Sequence, residues 1–140
     1  MNIFEAAYEG NLEVLKQKIA EGVDVNSCDA YSNTVLHLAA ASKNSECVKT
    51  LIEVGANPNG KDSLQGTPLH FTQSSDVCKI LCAAGADVNS QDYLGNTPLH
   101  NAALFGYDDV ISELLAAGSD PTIVNKLRRT PEEWSKDDSC

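Results

Sequence analysis

The octapeptide Asn96-Thr97-Pro98-Leu99-His100-Asn101-Ala102-Ala103 is one of four related copies, and no other feature constrains the fold as tightly. Upstream stand Asn33-Thr34-Val35-Leu36-His37-Leu38-Ala39-Ala40 and Gly66-Thr67-Pro68-Leu69-His70-Phe71, and downstream the curtailed Arg129-Thr130-Pro131-Glu132. Their threonines lie 33, 30 and 33 residues apart. An independent series, Gly22, Gly55, Gly85 and Gly118, has the same three intervals. Two unrelated markers that share even the one short interval define an array of structural repeats.

The physics of one unit accounts for both markers. Threonine caps a helix and proline suits the first helical position, where its missing N–H is no loss, so Thr-Pro starts a helix with a small Leu/Ala face. A second apolar pattern follows, Val48, Leu51, Ile52 in one copy and Ile111, Leu114, Leu115 in another, at the spacing of one helix face. Each second helix runs into a glycine suited to a left-handed cap. Gly85→Val is therefore expected to destabilise strongly, and the same change at Gly60, in an irregular turn, to matter less. Asp-Val-Asn and Asp-Tyr-Leu-Gly-Asn then carry the chemistry of a tight turn back to the next threonine.

Helix, turn, helix, glycine cap and hairpin at this period resembles the ankyrin repeat. Thr97-Pro98-Leu99-His100, Leu114-Leu115-Ala116-Ala117-Gly118 and Gly85-Ala86-Asp87-Val88-Asn89 carry the likeness, which extends over essentially the whole chain. The resemblance implies an all-α repeat solenoid of helix-turn-helix units joined by β-hairpin-like loops. It also implies a non-catalytic scaffold that binds another protein on a concave face of hairpin tips and first helices. On that face it places Tyr8, Tyr31, Asn33, Leu64, Tyr93, Leu94, Asn96, Leu104 and Phe105. It gives His37, His70 and His100 a structural role, tying hairpin to helix near the motif threonine, and it marks Asn26 and Asn89 as the slot hydroxylated in some eukaryotic repeats.

The units are expected at about 1–28, 29–61, 62–91 and 92–124, with a partial cap over 125–140, in one domain. Lys18 stands in the core slot filled elsewhere by Leu51, Leu81 and Leu114, and with Lys16 and Glu21 it reads as the wet outer face of an N-terminal cap. Unit two has Val35 for the usual proline and Ser32 for the usual turn glycine. Unit three lacks three residues near Gln73-Ser74-Ser75-Asp76, about 4.5 Å of helix, which predicts a notch in the stack and a second helix capped by Ser75 or Asp76. Phe105 is expected either to fill that notch or to contact a partner. Trp134 is expected as a lid on unit four, followed by a polar tail from Lys136 to Cys140.

Charge and cysteine content narrow the function. A net charge of −10 argues against binding nucleic-acid backbone or an anionic membrane and fits a partner with a basic or apolar surface. An acidic inhibitor or immunity-type protein that masks a basic enzyme surface is the alternative. Cys28, Cys47, Cys78, Cys82 and Cys140 form no CxxC pair, and Cys78 and Cys82 fall on core slots, so the thiols read as free and the compartment as reducing, cytoplasmic or, in a eukaryote, also nuclear. The three histidines share one repeat slot and so stand on adjacent units about 8 to 10 Å apart, too far for a common zinc ion. No nucleophile or paired carboxylate recurs beside them, no phosphate-binding glycine loop is present, and a small hydrolase is the remote third reading. The expectation is a monomer with no catalytic residue, cofactor, metal, nucleic-acid or membrane site.

Overall fold

A computed structural model of the protein describes residues 1–42 and 44–136. In chain order it consists of α1 (Ile3–Glu9), α2 (Leu12–Ala20), α3 (Val35–Ala41), α4 (Ser45–Glu53), a 3-10 segment (Pro68–Phe71), α5 (Ser75–Ala83), α6 (Pro98–Phe105), α7 (Asp108–Ala116) and α8 (Pro131–Lys136). β pairing among the described residues amounts to the antiparallel bridge Cys28–Thr34. The first helices α1, α3, the 3-10 segment, α6 and α8 pack in series, and so do the second helices α2, α4, α5 and α7. This is the all-α repeat solenoid that the resemblance implies.

The core lies between the two rows. Small side chains on the first helices (Ala6, Ala7, Ala39, Ala40, Ala102) let their backbones approach closely, and Leu15, Val48, Leu51, Val77, Leu81, Val110 and Leu114 fill the space from the second helices. Isolated helices of seven to nine residues are unstable in water, so these hold their shape only because each neighbour covers an apolar face. Lys18 is the exception foreseen for an end unit, half-exposed and paired with Glu21 at 3.6 Å. The caps after the second helices are left-handed, with φ between 90° and 97° at Gly22, Gly55, Gly85 and Gly118, whereas Gly60 has no positive φ.

Unit three departs from the pattern as its shortness requires, with one correction. The chain makes only the 3-10 turn Pro68–Phe71 and becomes extended at Thr72. The N-cap of α5 is Ser74, not Ser75 or Asp76, and its side chain makes no capping hydrogen bond, so the direct cap predicted from the sequence is absent. The polar tail ending in Cys140 lies outside the described residues from position 137 on.

Candidate protein-binding face

The hairpins are built by one device repeated four times. The side-chain Oδ1 of Asp29 accepts from the N–H groups of Tyr31 and Asn33, and Asp62, Asp92 and Asn125 accept equivalently from Leu64 and Gly66, Leu94 and Asn96, and Leu127 and Arg129. Each loop closes with a backbone bond such as Asp62 N–H to the Gly66 carbonyl. Ser32, Gln65, Gly95 and Arg128 take the left-handed position. Successive hairpins are joined by Ser63 N–H to the Tyr31 carbonyl, Tyr93 N–H to that of Leu64, and Lys126 N–H to that of Leu94. Because these backbone atoms are occupied, the side chains of the tips turn outward.

Tyr31 is 71% exposed and Phe105 63%, and Tyr8, Leu64, Tyr93 and Leu94 are also exposed. Asn33 and Leu104 are half-buried. Asn96 requires a correction, since it is 4% exposed and its Oδ1 accepts from Asn125 Nδ2 at 2.9 Å. It is a buried strut between hairpins and, beyond an edge of the hollow described next, leaves little side chain for a partner. The structure brings Leu94, Leu104 and Phe105 to one hollow of about 440 Å³ that Ala41, Phe71, Thr72, Gln73, Tyr107 and Trp134 also line. The residues missing from unit three are the counterparts of Leu104, Phe105 and Gly106, so this hollow is the notch. Phe105 does not fill it. Its ring stacks on Tyr107 with centroids 5.7 Å apart and forms one wall, while Phe71, edge-on to His37 at 5.7 Å, lies on the shortened unit. Trp134 is half-buried at the other end, where α8 covers α6.

The histidines link successive units. At His37, His70 and His100, Nδ1 accepts the backbone N–H of Thr34, Thr67 and Thr97 at 3.1 Å. The opposite nitrogen, Nε2, then carries the proton and donates forward to the carbonyl of Gly66, Asn96 or Arg129 at 2.8 to 2.9 Å. The ties predicted between hairpin and helix therefore reach the hairpin of the next unit. Burial lowers the pKa of each imidazole, partly offset by that forward hydrogen bond and by Asp62 and Asp29 near His37, Asp92 and Asp62 near His70, and Asp92 near His100.

Two features of the array escaped the motif. Asn26 bridges Gly55 and Asn57 through Nδ2 and Oδ1, and Asn59 likewise bridges Gly85 and Asp87. Asn89 Oδ1 accepts from Asp120 N–H. A ladder of side-chain amides thus runs behind the hairpins, and recurrence of asparagine four residues after Gly22, Gly55 and Gly85 was its sequence signal. The terminal units carry glutamate where inner units carry histidine: Glu5 is exposed, and Glu133 completes a capping box with Thr130, whose hydrogen bonds hold its carboxyl below the usual range.

Among the described residues no three His, Cys, Asp or Glu side chains gather as a metal site, and no helix is long and apolar enough to cross a membrane. Cys28 is an exposed free thiol, and Cys47 and Cys78 are free and buried. Cys78 lies 4.0 Å from the Cys82 sulfur, and that contact together with burial raises its pKa. Alkylation of the native protein followed by peptide mass spectrometry should modify Cys28 and spare Cys47 and Cys78 until denaturant is added. Native labelling of Cys47 at the rate of Cys28 would contradict the packing of α4.

The sequence profile of the family described as Ankyrin repeats (3 copies) matches residues 3–92 and 64–125. Over 68 residues the chain is 39% identical to the glycerophosphocholine phosphodiesterase gde1 of Schizosaccharomyces pombe, covering 48% of this chain and 6% of that protein. It is 39% identical over 57 residues to the putative ankyrin repeat protein YahD of Escherichia coli, covering 41% of this chain and 28% of that one. A third match, 41% identical over 63 residues, is to the potassium channel AKT1 of Arabidopsis thaliana, covering 45% of this chain and 7% of the channel. The chain thus spans less than a third of the length of each of these relatives. With that profile matching most of the chain, and helix pairs, hairpins and left-handed glycine caps recurring along it, the chain belongs to the ankyrin repeat family.

Proposed function

We propose that this chain is a non-catalytic module that binds another protein through the face made by its hairpin tips and first helices. The observation that carries the reading is the row of exposed aromatic and aliphatic side chains there, Tyr31, Leu64, Tyr93, Leu94 and Phe105, on backbone already locked by hydrogen bonds. Rigid, solvated aromatic groups supply contact area with little ordering entropy, which is the composition of interface hot spots. The four unpaired cysteines among the described residues support a reducing compartment such as the cytoplasm.

The test is calorimetric titration with the partner recovered by affinity capture. Tyr93→Ala and Phe105→Ala should each weaken binding by about 1 to 4 kcal/mol, and Lys49→Ala or Ser112→Ala on the second helices should leave it unchanged. Melting temperatures taken alongside separate contact from folding. Normal binding by Tyr31→Ala, Tyr93→Ala and Phe105→Ala together would end this reading.

The net charge of −10 favours a second one, masking of a basic surface. In that case affinity should collapse as salt rises, because screening shortens to about 8 Å at physiological ionic strength.

A further inference from the structure

We infer that the notch in unit three is a recognition subsite for a segment of the partner protein that presents one bulky apolar side chain next to a lysine or arginine. This rests on the concave-face reading above and adds which part of that face selects the partner, and for what.

The notch exists because one unit is short. Units two and four continue their first helices to Ala41 and Phe105, whereas unit three ends its 3-10 turn at Phe71. The neighbours therefore stand as two walls, Ala41 on one side and Leu104 and Phe105 on the other, over a floor of Phe71 and Thr72. A hollow of about 440 Å³ lies in the range of ligand pockets and has room for one large side chain. Its walls are set before any partner arrives, because the helices bearing them are clamped by the His37, His70 and His100 links. Apolar area exposed in a fixed cleft gains most from a side chain that matches it.

The charge beside the hollow specifies the rest. Gln73 and Tyr107 border both this hollow and a second, polar one of about 370 Å³ whose lining includes Ser74, Ser75, Asp108 and Asp109. Asp108 and Asp109 are exposed, and the ion pairs of the described residues, Lys18–Glu21 and Lys79–Glu113, use neither. Both carboxylates also suit the first turn of α7, where the helix dipole favours negative charge. Being exposed, both carboxylates stay open to solvent in that role. An apolar anchor seated between Phe71 and Phe105 would carry its neighbour in sequence towards Asp108 and Asp109, and only a cation gains there.

A random dodecapeptide library displayed on phage, selected against the immobilised full chain, tests this even while the partner is unidentified. The enriched peptides should share a Phe, Leu, Trp or Met within a few residues of Lys or Arg. A synthetic peptide of the enriched sequence should then lose about tenfold or more in affinity for a variant with Leu-Phe-Gly inserted between Gln73 and Ser74, which restores the length of unit four and closes the notch. Asp108→Asn with Asp109→Asn should weaken the same peptide severalfold and flatten its salt dependence, while leaving the hollow intact. Circular dichroism and melting curves check that each variant folds, and the paired asparagine variant keeps the test alive if the insertion does not. Enrichment of peptides without the apolar and basic pair, no enrichment above an unrelated control protein, or undiminished affinity for the insertion variant would each overturn the inference. Loss of partner binding in Tyr31→Ala and Tyr93→Ala with no loss on insertion leaves the concave face standing and removes the notch from it.

Discussion

Between pH 7 and pH 5 the protein should lose stability steeply, because three imidazoles must stay neutral for the units to remain joined. Protonation at Nδ1 of His37, His70 or His100 would set a new N–H against a threonine N–H now 3.1 Å away. Burial lowers each folded-state pKa, so the unfolded chain, with a value near 6.5, takes up these protons first. Stability is therefore fully present above about pH 6.5 and drains as pH falls from there through the folded-state values. Between the unfolded and folded values one such histidine contributes a slope of at most about 1.4 kcal/mol per pH unit, and three together at most about 4, against a total of about 5 to 15 for a typical domain. Protonation of surface carboxylates works the other way in a chain of net charge −10, but begins nearer pH 4. Denaturation midpoints at pH 7, 6 and 5 measure the effect, and His70→Gln should remove about a third of the slope whatever it does to the baseline. A flat profile over that window would show that the imidazoles accept charge without breaking the forward bonds.

Gly95→Val should destabilise more than valine at any of the four cap glycines, by about 2 to 5 kcal/mol. Two penalties combine there. Gly95 has φ +78°, which a β-branched residue resists, and a Cβ would stand 2.9 Å from Lys126 N and 3.1 Å from Asn125 Cα. Those are backbone atoms of the next hairpin and cannot rotate aside. At Gly85 the φ is +95° but a Cβ would meet nothing within 4 Å, so only the conformational strain applies, about 1 to 2 kcal/mol. Gly60→Val, with no positive φ and Thr34 Cγ2 at 3.4 Å, should fall below both. Urea titration of the three variants gives the order, and equal midpoints for Gly95→Val and Gly85→Val would mean that the hairpins separate at no cost.

What the sequence made legible is what local physics determines. Thr-Pro starts, glycine caps and the polar outer face at Lys18 depend on a few adjacent residues, and so they read directly as structure. The notch was legible for the same reason, as a count of missing residues. Asn96 was not. Its slot in the motif points to a tip, but its side chain is buried by Asn125, 29 residues away, and nothing within the hairpin announces that. The left-handed turns at Gln65 and Arg128 are equally silent, since neither residue favours that conformation and the closure of the Asp62 and Asn125 hairpins imposes it. Phe71 gives no signal of its own because its position is helical in the regular units. Only the collapse of that helix into a 3-10 turn places it on the floor of a cleft.

The histidine links all run one way, from each unit to the next, and unit one has exposed Glu5 in that slot. Under a stretching load the two ends of such an array are unequal. Unit one is fastened to its neighbour by helix packing, by Asn44 Nδ2 to the Gly10 carbonyl and by the Asn26 bridge, without an imidazole staple, so tension applied to unit one meets a seam that no histidine holds. Tension from the other end must shear His100 from the Arg129 carbonyl before α6 is reached. The array is thus a directional fastener, with each histidine staple set on the side of a unit that faces its successor.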